Sequence, residues 1–398
     1  MTQSVTREDQ EPAPLDPRTA PVPQYGRAAL ADLLPAVLAA QEVPGLAATG
    51  LELAPADRAC VFLVDGLGWE SLRRHPGEAP FLHSLLGSSG GGTGRPLTAG
   101  FPSTTATSLA SVGTGLPPGE HGLLGYTVLD PDNGRLMNQL RWQPWTDPHS
   151  WQPHPTVFQR AADAGIATSQ VSLPHFAHTP LTQVALSGGT FYGAETGEER
   201  MDAAAARLAG ADRTLVYTYF SELDANGHRF GLDSDAWRAQ LRYVDALAQR
   251  LAEQLPPRSA LYVTADHGMV DVPGTPQARF DADEDWELGA GIAHLGGEGR
   301  FRHLYAVPGA APDVHAVWRE VLAGHAWVST REEAVELGWF GPKVEDRVRG
   351  RIGDVVVAMD GQSAVVATRR EPNESALIGM HGSATAAELL VPLLEVRA

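Results

Sequence analysis

Short runs of apolar and β-branched residues at 60–64, 167–171, 215–220 and 260–264 read as buried strands. Stretches at 103–112, 156–164, 198–208 and 235–255 carry apolar positions every three or four residues and read as helices. So does 27–40, where Leu30, Leu33, Leu34, Val37 and Leu38 share one face. Strand–helix alternation of this kind predicts an α/β fold, a mostly parallel central sheet with helices on both faces. The rhythm breaks at about 273–350, which is rich in Pro, Gly and acidic residues and holds a strand-like piece at 304–307 and a helix at 312–323. That region reads as an inserted cap. The chain then returns to the core at 354–359, 363–368 and 388–396. Residues 1–25 lack periodicity and are rich in Pro, Asp, Glu and Thr, so a disordered or extended N-terminal arm is expected there. Residues 26–398 read as one domain without internal repeats.

Composition changes the picture in three places. The formal net charge of -18 repels polyanions, which excludes a nucleic-acid polymer as partner. A small phosphate ester is still compatible, because bound cations reverse the sign locally. Cys60 is the single cysteine, so no intrachain disulfide can form. The start of the sequence has no basic segment followed by an apolar one, and no run of ~18 apolar residues occurs, so a cytoplasmic protein without a membrane span is expected. Oligomeric state leaves no mark in the sequence.

Candidate chemistry sits in five segments, each at the end of a strand or the start of a helix, where α/β enzymes place their sites. Asp65-Gly66 follows the first strand; an Asp-Gly turn is the bland alternative. Ser103, Thr104 and Thr105 open a helix, where hydroxyls either cap or meet an anion. Asp224 and His228 stand four apart after the third strand, with Gly227 read as a tight turn that lets both converge on a cation. Asp266-His267-Gly268 follows the fourth strand, and Gly268 is read as the bend that brings both side chains to one ion. His381 lies between Gly379 and Gly382, a weak signal alone. Pooled, three aspartates and three histidines suit two divalent metal ions about 4 Å apart. Mixed nitrogen and oxygen donors favour zinc, with manganese or iron as alternatives.

The order of these segments resembles the nucleotide pyrophosphatase/phosphodiesterase family of the alkaline phosphatase superfamily. The matching residues are Asp65-Gly66, Pro102 to Thr105, Thr114 to Gly122, Asp224 to Gly231, Asp266 to Met269 and Gly379 to Gly382, and Arg351 to Asp354 is matched to a segment leading into the last histidine. The resemblance implies an alkaline-phosphatase-like catalytic domain in which Asp224, His228 and His381 hold one metal. It implies that Asp65, Asp266 and His267 hold the other, and that Thr105 is the nucleophile of a phosphothreonine mechanism. Family members carry an asparagine against a phosphate oxygen where this chain has Tyr126; Tyr126 or Asn138 is expected to take that part, with Asn133 a further candidate.

The expected activity is hydrolysis of small, nucleotide-like phosphodiesters. The alternatives are a phosphomonoesterase or phosphonate hydrolase on the same metals, and an inactive binding protein. No arginine accompanies the nucleophile segment to meet a second phosphate charge, which favours the diester. The complete donor set disfavours an inactive protein. The remaining histidines, the cluster Trp142, Trp145 and Trp151, and the acidic stretch 281–287 read as packing or solvated surface.

Overall fold

The computed structural model describes residues 12–44, 49–87 and 92–398. In chain order the strands of its two larger sheets are β1 (Arg58–Val64), β2 (Arg95–Thr98), β3 (Ala167–Ser172), β4 (Thr190–Gly193), β5 (Thr214–Phe220), β6 (Ser259–Thr264), β7 (Ile292–Glu298), β8 (Phe301–Ala306), β9 (Ala326–Thr330), β10 (Val355–Met359) and β11 (Leu390–Arg397). The central sheet has the order β2-β11-β6-β1-β5-β3-β4. Its strands β6, β1, β5, β3 and β4 are parallel, and β11 enters antiparallel between β6 and β2. Every residue of β5 and β6 is buried, as expected of strands covered on both faces, and this is why their sequences are near-continuously apolar.

The helices that frame the site are α1 (Leu30–Ala40), α2 (Thr105–Thr114), α3 (Val157–Asp163), α4 (Pro180–Ala185), α5 (Gly197–Leu208), α6 (Glu222–Phe230) and α7 (Asp235–Glu253). α2 packs against α1 and α4, α5 lies on β5, and α7 lies on α5 and α6. Among the described residues no helix is long and apolar enough to cross a membrane.

The segment expected as a cap contributes β7, β8 and β9 to an antiparallel sheet of order β7-β8-β10-β9. Its core gathers Leu304, Trp318, Val355 and Val357. Because β10 is an interior strand of that sheet, the inserted unit runs past 350. A further strand at Ala364–Val366 pairs with Arg279–Asp281. The acidic stretch 281–287 is more than a solvated face: Asp283 pairs with Arg370 at 2.5 Å and Asp285 caps the following helix. Of the N-terminal arm, residues 1–11 lie outside the described residues. From residue 12 onward it is fastened down: Leu15 bridges Trp327, the Trp327 indole donates to Thr19 Oγ1 at 3.1 Å, and the Gln24 amide donates to Thr98 Oγ1 at 2.8 Å.

Candidate active site

Parallel strands deliver their carboxyl ends to one edge of the sheet, and the six expected donors meet there. Asp65 follows β1, Asp266 and His267 follow β6, and Asp224 and His228 sit on α6, which follows β5. His381 follows the short strand Gly379–Met380, and Thr105 is the first residue of α2. His228 Nε2 lies 3.2 Å from Asp224 Oδ2, and His381 Nε2 lies 4.0 Å from Asp224 Oδ1. His267 Nε2 lies 3.4 Å from Asp65 Oδ1, 3.5 Å from Asp266 Oδ2 and 3.3 Å from the Thr105 hydroxyl. The donors form two overlapping groups, Asp224–His228–His381 and Asp65–Asp224–His267, so Asp224 stands between them.

All three imidazoles are oriented in the same way. Nδ1 of His228 contacts the Gly379 carbonyl at 2.8 Å, Nδ1 of His267 the Gly268 carbonyl at 2.9 Å, and Nδ1 of His381 the Ser103 carbonyl at 3.0 Å. A carbonyl can only accept, so each Nδ1 carries a proton and each Nε2 is the nitrogen turned toward the centre. The Tyr219 hydroxyl donates to Asp65 Oδ2, and the amides of Gly66 and His267 donate to Asp266 Oδ1 at 3.1 and 3.0 Å. One oxygen of each aspartate, Oδ1 of Asp65, Oδ1 of Asp224 and Oδ2 of Asp266, is buried without a hydrogen-bond partner. Burial and the neighbouring carboxylates of Asp266 and Asp224 push Asp65 well above the ordinary carboxylate range, and burial likewise raises Asp266. Burial, with His267 and His228 nearby, holds His381 well below the ordinary imidazole value. Crowded acidic oxygens facing three imidazole Nε2 atoms make a donor set that fits divalent cations.

Two local readings of the sequence, at Gly227 and Ser103, need correction, and Gly268 has a further reason to be glycine. Gly227 makes no tight turn: it lies inside α6, where Asp224 and His228 reach one face by helical i,i+4 spacing. Its missing side chain admits Met269, whose Sδ would stand 2.5 Å from a Cβ there. Gly268 likewise serves close approach, since a Cβ would meet the Ala387 carbonyl oxygen at 1.9 Å. Ser103 does not open the helix; its hydroxyl donates to the Ser383 carbonyl at 2.6 Å and its amide to the Gly382 carbonyl at 3.1 Å, tying the α2 start to the His381 loop. That loop is held from behind by Glu388, which accepts from the Ser383 amide at 3.0 Å and pairs with fully buried Arg300 at 2.7 Å. Arg351 lies away from this loop. It stacks on Trp151 and donates to the carbonyls of Gly122 and Trp151, bracing the segment after α2, where Trp151 and Trp142 are buried together.

A cavity of about 440 Å³ opens from the cluster and is lined in part by Asp65, Thr105, Asp224, His228 and His381. Tyr126 lines it, with its hydroxyl donating to Glu374 Oε1 at 3.1 Å. Asn138 is not among the lining residues; its Oδ1 accepts from the amides of Leu140 and Arg141 in a turn. Asn133 is engaged by Asp130. An asparagine that does reach the cavity is Asn373, alongside Glu374 and Glu298. Glu298 ends β7 with Oε2 3.9 Å from His381 Nδ1 and Oε1 buried and unpartnered, and burial lifts its carboxyl to about 8. These three were missed because the inserted unit carries them, and no strand-end motif marks them.

The sequence model of the type I phosphodiesterase/nucleotide pyrophosphatase family matches residues 59–384. The human ectonucleotide pyrophosphatase/phosphodiesterase family member 7 is 32% identical over 141 residues, and the match spans 31% of this chain and 31% of that relative's length. Among solved structures, murine ectonucleotide pyrophosphatase/phosphodiesterase 5, an inactive threonine-to-alanine form in complex with AMP, superposes with a TM-score of 0.66 at 20% identity, over 85% of this chain and 87% of that one. Phosphonoacetate hydrolase from Sinorhizobium meliloti, in complex with phosphonoformate, gives a TM-score of 0.64 at 20% identity, over 86% and 91%. The fold is therefore the alkaline-phosphatase-like one, and with the family match covering most of its length the chain belongs to the type I phosphodiesterase/nucleotide pyrophosphatase family.

Proposed function

We propose that this chain is a metal-dependent phosphodiesterase of small phosphate esters, nucleotide-like ones included, with Thr105 as its nucleophile. One observation carries the reading. Three buried carboxylate oxygens without partners face three imidazole Nε2 atoms beside a threonine at a helix N-terminus. Such oxygens are costly unless a cation takes them. Asp224, His228 and His381 would hold one ion; Asp65, Asp266 and His267 would hold the other, next to Thr105. Zinc suits the donors, with manganese or iron as alternatives. When bound, the two ions supply positive charge to the phosphate oxygens and to the threonine and leaving oxygens.

The chain's own residues orient the reaction. His267 faces the Thr105 hydroxyl with its Nε2, and Tyr219 fixes Asp65 from behind. The first-turn amides of α2 have no intrahelical acceptors and point toward an anion at the helix start. Thr105 Oγ1 bonds to phosphorus as the bond to the leaving alcohol breaks; water then cleaves the phosphothreonine and restores the hydroxyl. The inactive threonine-to-alanine form of the murine relative, and the AMP and phosphonoformate held by the two structural neighbours, support a threonine nucleophile and a small phosphate-like ligand. A diester is favoured over a monoester because the described lining residues include Glu298 and Glu374 but no lysine or arginine. Metal analysis after dialysis should find about two transition-metal ions per chain, with bis(p-nitrophenyl) phosphate hydrolysis lost on chelation and restored by zinc. Full activity in protein free of transition metal would overturn the reading.

A further inference from the structure

The six donors come from four segments that are far apart in the chain. All four segments meet a second time at one turn, 231–234, between α6 and α7. α6, which carries Asp224 and His228, runs directly into it. The Leu232 amide donates to Asp271 Oδ1 at 2.9 Å, and a Cβ on Gly231 would stand 2.8 Å from Asp271 Oδ2. Asp271 ends the short strand Val270–Asp271, which follows Asp266 and His267. That strand pairs with Gly379–Met380, the strand leading into His381, with Gly379 opposite Asp271. The fourth segment reaches the turn through His75. It terminates the helix Trp69–Arg74, which begins four residues after Asp65. His75 Nε2 lies 2.5 Å from Asp233 Oδ1, and its Nδ1 lies 2.6 Å from the Ser71 carbonyl. Ser71 donates in turn to the Gly68 carbonyl at 2.8 Å, three residues from Asp65.

The turn is held on every side. Asp233 has a φ of +65°, a conformation that non-glycine residues seldom take and that the surroundings must maintain. Arg238 Nε donates to the Asp233 carbonyl at 3.0 Å, and the same guanidinium pairs with Glu78 at 2.6 Å. Ser234 Oγ donates to the Gly231 carbonyl at 2.9 Å. The His75 ring is buried and stands edge-on to buried Trp237, with ring centroids 4.9 Å apart. A carbonyl and an ionised carboxylate both accept, so in this arrangement the ring donates from both nitrogens and is fixed at both ends. His75, Asp233 and Asp271 do not line the cavity, and none belongs to the two donor groups. Any part they play in the site is therefore played through the donors.

We propose that His75, Asp233 and Asp271 are positioning residues that set the spacing between the two donor groups, so that a second cation is held beside the first. The proposal rests on the two-metal reading of the cluster. Groups that orient metal ligands from outside cost about 10–100-fold in metal affinity when they are removed. Where the loss falls follows from the arrangement. Asp224 belongs to both donor groups. In a loosened frame one group can still close around a first cation, because only its own donors have to adjust. The other group must then share Asp224 as the first has left it, with Asp65 and His267 on segments no longer tied to α6. The weakening is therefore confined to the second cation.

The test titrates cobalt(II) into the metal-free full chain and reads heat and visible absorption for each equivalent. Asp233→Gly keeps the backbone conformation and deletes the carboxylate, and Asp271→Ala deletes the other anchor. Each should weaken the second equivalent at least about tenfold and change the first by less than about threefold. Asp233→Asn should keep both within about threefold, since its amide meets the same ring nitrogen and asparagine tolerates a positive φ. Thermal melts of the metal-free proteins report folding. Should Asp233→Gly fail to fold, His75→Gln, whose single amide nitrogen replaces two separated ring donors, decides. An unchanged second affinity, an equal loss at both equivalents, no rescue by asparagine, or a lowered melting temperature with both affinities intact overturns the proposal. Uptake of fewer than two cobalt ions by the unsubstituted chain overturns the two-metal reading, and the proposal with it. Two ions there, with the variants unaffected, overturn the proposal alone.

Discussion

Replacing Glu388 by glutamine should destabilise the protein and loosen its metal site together. Glu388 and Arg300 are both fully buried, paired at 2.7 Å, with Arg300 Nε a further 3.1 Å from the second carboxylate oxygen. Arg300 also donates to the Met359 carbonyl, so the pair joins the inserted sheet to the His381 loop. Removing one partner of a buried ion pair leaves the other charge uncompensated, at a cost of about 3–5 kcal/mol. An unfolding entropy of roughly 2.1 cal/mol/K per residue gives about 0.84 kcal/mol/K for a chain of this length, so Tm should fall by about 4–6 °C. Arg300→Met should cost a similar amount. The two together should cost at least ~2 kcal/mol less than the sum, because the second substitution removes the charge the first one stranded. Differential scanning calorimetry of the four proteins, each saturated with zinc, reads these shifts; metal retained after dialysis reads the site. A Tm drop below about 1 °C for Glu388→Gln, or strict additivity, would refute the assignment of Glu388 and Arg300 as a coupled anchor.

Thr105→Ala should abolish turnover by several orders of magnitude while metal content and Tm hold, and Thr105→Ser should recover part of the rate; near-normal turnover by the alanine variant would remove Thr105 from the reaction. For a matched pair of aryl esters, kcat/KM for the diester should exceed that for the monoester, and a monoester advantage above about tenfold, or ~1.4 kcal/mol, would reverse the assignment. In the metal-free protein, the raised pKa values of Asp65 and Asp266 mean that their contribution to stability is fully present below the ordinary carboxylate range and is lost as pH rises through the raised values. Metal binding should therefore release protons and tighten with rising pH; His381, held neutral, should release none near pH 7. Calorimetry in buffers of different ionisation enthalpy counts those protons, and Asp65→Asn should lower the count.

The strands β1, β5 and β6 were legible because strands covered on both faces are written largely in apolar residues, and so were Asp65, Asp266 and His267, just beyond such strands. β3, Ala-Thr-Ser-Gln-Val-Ser, is buried but mostly polar and stood out only by its place between two helices. β2 and β4 were not legible: each is four residues long, at a sheet edge, and one contains Pro96, which an edge tolerates. The second wall of the site was equally opaque. Glu298, Asn373 and Glu374 reach the cavity through pairings between distant segments of the inserted unit, and no local pattern encodes a long-range register. Asn138 shows the converse error: near the expected place in sequence, it has its Oδ1 taken by its own turn and does not line the cavity.

The position of β11 has a consequence for how the molecule comes into being. Among the described residues it is the last strand in chain order, yet it lies inside the sheet and is the one strand of that sheet beside β2. Until β11 has been synthesised, β6 therefore presents a bare edge, and β2 is held outside the sheet, by its bridge to Ala29 and the Gln24 contact to Thr98. An open parallel edge is an invitation to pair with another nascent chain. His381 is the last of the six donors in chain order, so the donor set is completed only after the inserted unit has followed β6 out of the ribosome. The nascent chain then passes from a sticky, inactive intermediate to a closed one in a single late step, and the load on chaperones should fall on the interval between β6 and β11.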